Sequence, residues 1–226
     1  MLKHYLLYVP ARIIPAVTSL AAVALLTRLL GTEEYGAYTL AITVIYTAQA
    51  FFNQWLCQGI LRYYPEAEKE GTLPTLLAST GAWAFLALLA AAGLLLLAGL
   101  SHLLPFSAAL LAVTLPVFAV FALQTLALRI PMARIASARY SVLVILQAVA
   151  SLGGAALMAW QTRDPVFVLA GFAAGYALAL LADIRAVSRF FAWWKASRAT
   201  MRTIFIYGWP IALTTTLTFL AGKIDR

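Results

Sequence analysis

Charge is scarce in this chain: Asp, Glu, Lys and Arg make up 11% of its 226 residues. A soluble domain wets its surface with about twice that share. Here 64% of residues are hydrophobic and the mean hydropathy is +0.91, which excludes a water-soluble globular domain. Cysteine is nearly missing as well. Cys57 stands alone inside an apolar segment, so no internal disulfide and no cysteine metal cluster can form. It reads as a small buried hydrophobe. Acids number eight and histidines two, His4 and His102, with no zinc-ligand spacing and no nucleophile motif. No catalytic group, metal or cofactor is therefore expected. Strict alternation of apolar and polar residues is weak, which argues against an outer-membrane barrel.

What is present is a succession of apolar segments long enough to cross a bilayer. They run over about 9–30, 36–61, 75–100, 106–128, 140–160 and 166–187, and a seventh begins near Ile204. The expected fold is all-α: a polytopic helix bundle of six complete spans plus the start of a seventh. Residues 1–203 would form a six-helix lobe, and 204–226 the first helix of a second lobe. Thr32 is expected to cap the second helix, with Glu33 and Glu34 in its first turn, where the helix dipole favours carboxylates. A charged loop is expected over 63–71, with Pro65 and Pro74 as breakers.

Net charge is +8, and the cations cluster at helix ends. Of the sixteen Lys and Arg, only Arg28, Arg163, Lys223 and Arg226 fall on one side of the expected membrane; the others fall on the opposite side. By the positive-inside rule the N-terminus is cytoplasmic. The same placement assigns the positive charge to orientation and anionic headgroups rather than to nucleic acid. The run Phe190-Phe191-Trp193-Trp194, with Arg189, Lys195 and Arg198, reads as an amphipathic segment lying on the cytoplasmic leaflet. Lys3, His4 and Arg12 precede an apolar run without a clear cleavage site, so the first helix is expected to be retained.

The second helix carries a polar stripe. Thr39, Thr43, Tyr46, Thr47, Asn53 and Gln54 fall on one side at about 100° per residue. Hydrocarbon cannot satisfy amides and hydroxyls, so that side must face protein or water. A wet face on a membrane helix implies a cavity for polar cargo, with Thr43, Tyr46, Asn53 and Gln54 as contacts. Arg12, on the face of the first helix that holds Pro15 and Ser19, and Arg28 and Arg62 at helix ends are candidates for an anionic group. The competing explanation for all three is snorkelling to headgroups. Asp183 and Asp225 are the acids nearest the hydrocarbon, fit either for a coupling ion or for an interfacial ion pair.

The first and seventh segments share a pattern. Pro15, Ser19 and Arg28 repeat the spacing of Pro210, Thr214 and Lys223. Two similar helices of one direction, six helices apart, indicate a parallel internal repeat, and the chain then reads as one half of a longer transporter plus the opening of the next. Pro15 and Pro210 are candidate hinges.

Three stretches carry a family resemblance. Leu29-Leu30-Gly31-Thr32-Glu33-Glu34-Tyr35-Gly36-Ala37-Tyr38 resembles the joint after the first helix of polysaccharide-export flippases. Gly59-Ile60-Leu61-Arg62-Tyr63-Tyr64 is similar to the close of their second helix. Tyr207-Gly208-Trp209-Pro210 with Asp225-Arg226 is similar to their seventh-helix pattern. These flippases are the Wzx-like members of the multidrug/oligosaccharidyl-lipid/polysaccharide exporter superfamily. The resemblance implies a two-lobed transporter of the bacterial cytoplasmic membrane. Its cargo would be an undecaprenyl-pyrophosphate-linked oligosaccharide for surface polysaccharide or lipopolysaccharide. Its partners would be membrane lipids and polysaccharide polymerase and chain-length machinery. Two alternatives stay open: a polytopic glycosyltransferase using lipid-linked sugar, with Glu33-Glu34 as outer-loop acids, and a multidrug exporter of the same superfamily. The first would need a longer outer loop, the second an acidic cavity.

Overall fold

A computed structural model describes residues 2–101 and 107–224. Every regular element among them is helical. The long rods are α1 (Leu2–Leu29), α2 (Thr32–Ala48), α3 (Gln54–Lys69), α4 (Leu73–Leu100), α5 (Ala108–Ala127), α7 (Ser137–Thr162), α8 (Pro165–Ala182) and α10 (Arg198–Ile224). Short helices α6 (Arg129–Ala133) and α9 (Ile184–Val187) interrupt the joints, and two 3-10 turns, Ser188–Phe191 and Trp193–Lys195, lead into α10. Asp225, a candidate for ion coupling, and His102 lie outside the described residues.

Five segments are long and apolar enough to cross a membrane: Val9–Leu29, Leu73–Gly99, Ala108–Ala133, Ser137–Thr162 and Pro165–Ala182. The expectation of six complete spans also includes α2 and α3, which form one rod joined through a π turn, Gln49–Asn53. That rod has the length but carries the polar stripe and the charged end.

Local chemistry departs from the sequence expectation in several joints. Thr32 is the first helical residue of α2 and not its cap; Gly31 takes the cap position in extended backbone, with no side-chain cap bond, and the Glu34 carboxylate folds back over it. The expected loop over 63–71 is helical as far as Lys69, with Pro65 inside α3. A proline there removes one N–H and the bond it would make to the Leu61 carbonyl, yet the helix runs on past it to Lys69. The chain turns instead at Gly71, whose φ of 73° is the left-handed conformation that glycine tolerates best. The sixth apolar segment stops at Ala182, before Asp183, and α10 begins at Arg198, earlier than Ile204.

Side chains settle into two cores at opposite ends of the rods. One gathers Trp55, Leu56, Ile60 and Tyr64 of α3 with Leu77, Leu126, Ile130, Phe190 and Ile204. The other gathers Leu26 of α1 with Tyr38, Ala41 and Ile45 of α2, Phe118 of α5, Ala155 and Ala159 of α7 and Val168, Leu169 and Tyr176 of α8. Rods that alternate in direction produce this split, because each contributes its start to one core and its end to the other.

The tightest seam joins α7 and α8. A Cβ on Gly154 would strike the Gly171 carbonyl, a Cβ on Gly171 would strike that of Gly154, and a Cβ on Gly175 would strike Ser151. In lipid, close backbone approach replaces the hydrophobic drive that packs helices in water. α1 packs along α7 and only slightly against α2, its neighbour in sequence. Two consecutive helices thus diverge, and the space between them becomes the site described below.

Side chains also tie the joints. Arg134 holds Glu68 at 2.9 Å, and Arg139 at the start of α7 pairs with the buried Asp183 at the end of α8. Gly154→Leu should lower stability by about 1–3 kcal/mol through overpacking of the α7–α8 seam, whereas Gly153→Leu, with nothing within 4 Å of its Cβ, should be tolerated. The check is thermal unfolding in detergent, followed by a thiol-reactive dye on Cys57, which is fully buried in the folded chain.

Candidate functional site

Between α1, α2, α7 and α8 lies a cavity of about 320 Å³. α1 contributes Pro15, Thr18, Ser19, Ala22 and Leu26, one stripe at helical spacing. α2 contributes Tyr35, Tyr38, Thr39, Ile42 and Tyr46. Gln147, Ser151 and Ala155 come from α7, and Phe172 and Tyr176 from α8. The divergence of α1 from α2 creates the opening, and the seam between α7 and α8 closes the back wall.

The lining is neutral and rich in hydroxyls. Tyr46, Gln147 and Tyr176 stand together in this wall. Phe121 of α5 supports this group from below, edge-on to Tyr46 at 5.4 Å and tilted against Tyr176 at 4.9 Å between ring centroids. The Thr18 hydroxyl donates to the Pro15 carbonyl at 3.0 Å, satisfied within its own helix. Two polar atoms in the back wall have no protein partner: Oε1 of Gln147 and Oγ of Ser151, both shielded from solvent. Leaving such atoms unpaired costs about 1–3 kcal/mol each. Ser151 Oγ lies against Gly175 in the α7–α8 seam.

The structure divides the expected polar stripe. Thr39 and Tyr46 face the cavity. Thr43 and Thr47 face a separate apolar groove with Phe51, Phe52 and Leu94, and their hydroxyls bond back to Thr39 and Thr43 carbonyls at 2.8 Å. A threonine that satisfies itself in this way needs no water, so the inference that the whole stripe must be wet does not hold for these two. Asn53 lies 2% exposed in the bundle interior, and its amide donates to Gln49 Oε1 and to the Ala122 carbonyl, each at 3.1 Å. Gln54 is half-buried and does not line the cavity. The physical reason is the π turn: its extra residue rotates everything after Gln49 out of phase with the 100° count.

The cationic candidates stand outside the cavity wall. Arg12 is exposed one turn before Pro15, Arg28 is exposed in the last turn of α1, and Arg62 is exposed with its guanidinium carbon 5.9 Å from the Tyr63 ring centre. Asp183 is committed to Arg139. Pro15 sits in the cavity wall; Pro210 lies in α10, away from it, and the Thr214 hydroxyl bonds its carbonyl.

Sequence reading missed Tyr35, Tyr38, Gln147, Ser151 and Tyr176 as cavity residues. One signal was available: Gln147 is an amide in the middle of an apolar span, where polar side chains are costly and face the interior. Ser151 was hidden among the packing glycines.

Two of the stretches that carry the family resemblance meet in space. Gly59 lies against Ile204, Tyr63 against Tyr207 at 5.6 Å between ring centres, and Gly208 against the Trp55 indole. The end of the second rod and the start of α10 are thus one interface. The third stretch, 29–38, delivers Tyr35 and Tyr38 to the cavity. A family model described as polysaccharide biosynthesis protein matches residues 25–226.

The chain belongs to the polysaccharide biosynthesis protein family. No curated protein and no solved structure matches it. For this family member, the match includes α2, α7 and α8, three of the four cavity walls, and the end of α1. With five membrane-length apolar helices among its described residues, it is a membrane protein with a role in polysaccharide biosynthesis.

Hydration of the cavity is directly measurable. In a Cys57→Ser background, Ser19→Cys and Thr39→Cys should react with a membrane-impermeant thiol reagent, and Thr43→Cys should be at least about tenfold slower, since only the thiolate in contact with water reacts readily.

Proposed function

We propose that this protein is a transporter, not an enzyme, and that it flips an undecaprenyl-pyrophosphate-linked oligosaccharide across the bacterial cytoplasmic membrane for surface polysaccharide synthesis. The observation that carries the reading is the neutral, hydroxyl-rich cavity of about 320 Å³, lined by Thr18, Ser19, Tyr38, Thr39, Tyr46 and Gln147, in a membrane member of a polysaccharide family. Sugar hydroxyls entering hydrocarbon unpaired lose several kcal/mol, on the order of 4–8 each. A wall of phenols, amide and hydroxyl replaces their water, and flat aromatic faces accept the apolar faces of the ring. The volume is at the low end of ligand pockets. In this reading a second lobe, opening with α10, supplies the remaining wall and rocks against the first around Pro15 and Pro210.

Arg12 and Arg28 flank the cavity stripe of α1 toward its two ends, the arrangement an anionic pyrophosphate needs as it passes from one leaflet to the other. The N-terminus is cytoplasmic in this reading, which the cation distribution supports. No carboxylate lines the cavity, which favours this cargo over cationic drugs.

Loss of the gene should cause lipid-linked glycan to accumulate on the cytoplasmic leaflet, and normal surface glycan in the null strain refutes the proposal. In complementation, Gln147→Leu should lower export several-fold, about 1 kcal/mol of lost hydrogen bonding. Arg12→Ala with Arg28→Ala should lower it further, at unchanged protein level in the membrane.

A further inference from the structure

We propose that the cleft between the start of α4 and the 3-10 turns before α10 binds the phosphate headgroup of an anionic membrane phospholipid. The cleft measures about 370 Å³ and is lined by Leu73, Pro74 and Leu77 of α4 and by Arg189, Ala192 and Lys195. Two cations and four apolar residues meet there. Both cations are exposed, and among the described residues no carboxylate pairs with either. The charge has to come from these side chains. Pro74 has no N–H, and the N–H groups of Thr75 and Leu76 already bond to the Thr72 carbonyl.

The segment that carries the cations is held rigidly. Phe190 is 1% exposed, and its carbonyl lies so close to Gly81 of α4 that a Cβ there would collide with it. The Ser197 N–H donates to Ser79 Oγ at 3.1 Å, and the Trp83 indole N–H donates to the Met201 carbonyl at 2.9 Å. Trp193 packs on Phe85 at 5.2 Å between ring centres. The backbone that presents Arg189 and Lys195 is therefore held in place, and little main-chain ordering is lost when an anion arrives. Beside them Trp194 is 82% exposed and Phe191 48%. Exposed tryptophan next to cations is the composition of a membrane–water boundary, with rings at headgroup depth and charges at the phosphates. The apolar residues of the cleft would take the first part of an acyl chain.

A phospholipid, not the cargo, is the ligand assigned. The cleft belongs to the core at the opposite end of the rods from the cavity walls of α2 and α8, and shares no lining residue with the cavity. The inference does not depend on the transport reading.

The test is native mass spectrometry of the intact chain purified in neutral detergent, with phosphatidylglycerol, phosphatidylcholine or a short-chain isoprenyl phosphate added. The expected result is retention of phosphatidylglycerol over phosphatidylcholine, reduced about tenfold or more in Arg189→Ala/Lys195→Ala. Arg198→Ala/Arg202→Ala removes the same charge nearby and should change retention less than twofold. Arg189→Lys/Lys195→Arg should keep it, which separates loss of charge from loss of fold. Equal loss in both alanine pairs overturns the proposal in favour of diffuse attraction. Preference for the isoprenyl phosphate over phosphatidylglycerol overturns it in favour of a cargo site.

Discussion

A polar atom in hydrocarbon has no water to turn to, and much in this protein follows from where its polar atoms find partners. Most are satisfied close to home: Thr27, Thr43, Thr47, Thr80, Thr114 and Thr125 return their hydroxyls to carbonyls one turn back. Asn53 crosses to α5, and Asp183 finds Arg139. The exceptions are scattered through the interior: Gln49, Asn53, Tyr64, Gln124, Arg129, Gln147, Ser151 and Asp183 each keep a buried side-chain atom unpaired, and of these residues Gln147 and Ser151 line the cavity between α1 and α2. Tyr46 and Tyr176 stand in its wall, and Phe121 holds them from beneath.

The second rod serves two environments. Its first half presents Tyr35, Tyr38, Thr39 and Tyr46 to the cavity, and its second half anchors α10 through Trp55, Gly59 and Tyr63. The π turn between them changes the phase, so one helix can face the cavity at one level and α10 at another. In the transport reading this couples cargo to the second lobe: the rod that touches the glycan also carries the contacts to the helix that opens that lobe. The 3-10 segment is clamped on α4, which ties the start of α10 to α4 at that end.

Much of the architecture was legible in the residues. Scarce charge and recurring apolar segments of membrane length require an all-helical membrane bundle, because only helices satisfy their own backbone in lipid without closing a barrel. The stretches 29–38, 59–64 and 207–210 carried the family, and two of them turn out to be one interface. Gly154, Gly171 and Gly175 let the backbones of α7 and α8 approach closely enough to form a tight seam. Two boundaries misled. Pro65 was read as a breaker, but the helix runs through it to Lys69, with Tyr64 and Ala67 buried on either side of it. Thr32 was read as a cap, but Glu34 folding over Gly31 occupies that place.

The sequence alone determined the solvent of this protein and its helical class, since both follow from composition and period. It also determined which residues are polar within the spans. It could not determine which of those need an outside partner, because that depends on what stands opposite each one after packing. Thr43 and Tyr46 look equivalent on a helical wheel, yet one bonds its own backbone and the other borders a cavity. Only the divergence of α1 from α2, set by the seat of α1 on α7, decided where the open space lies, and only the π turn decided which amides reach it.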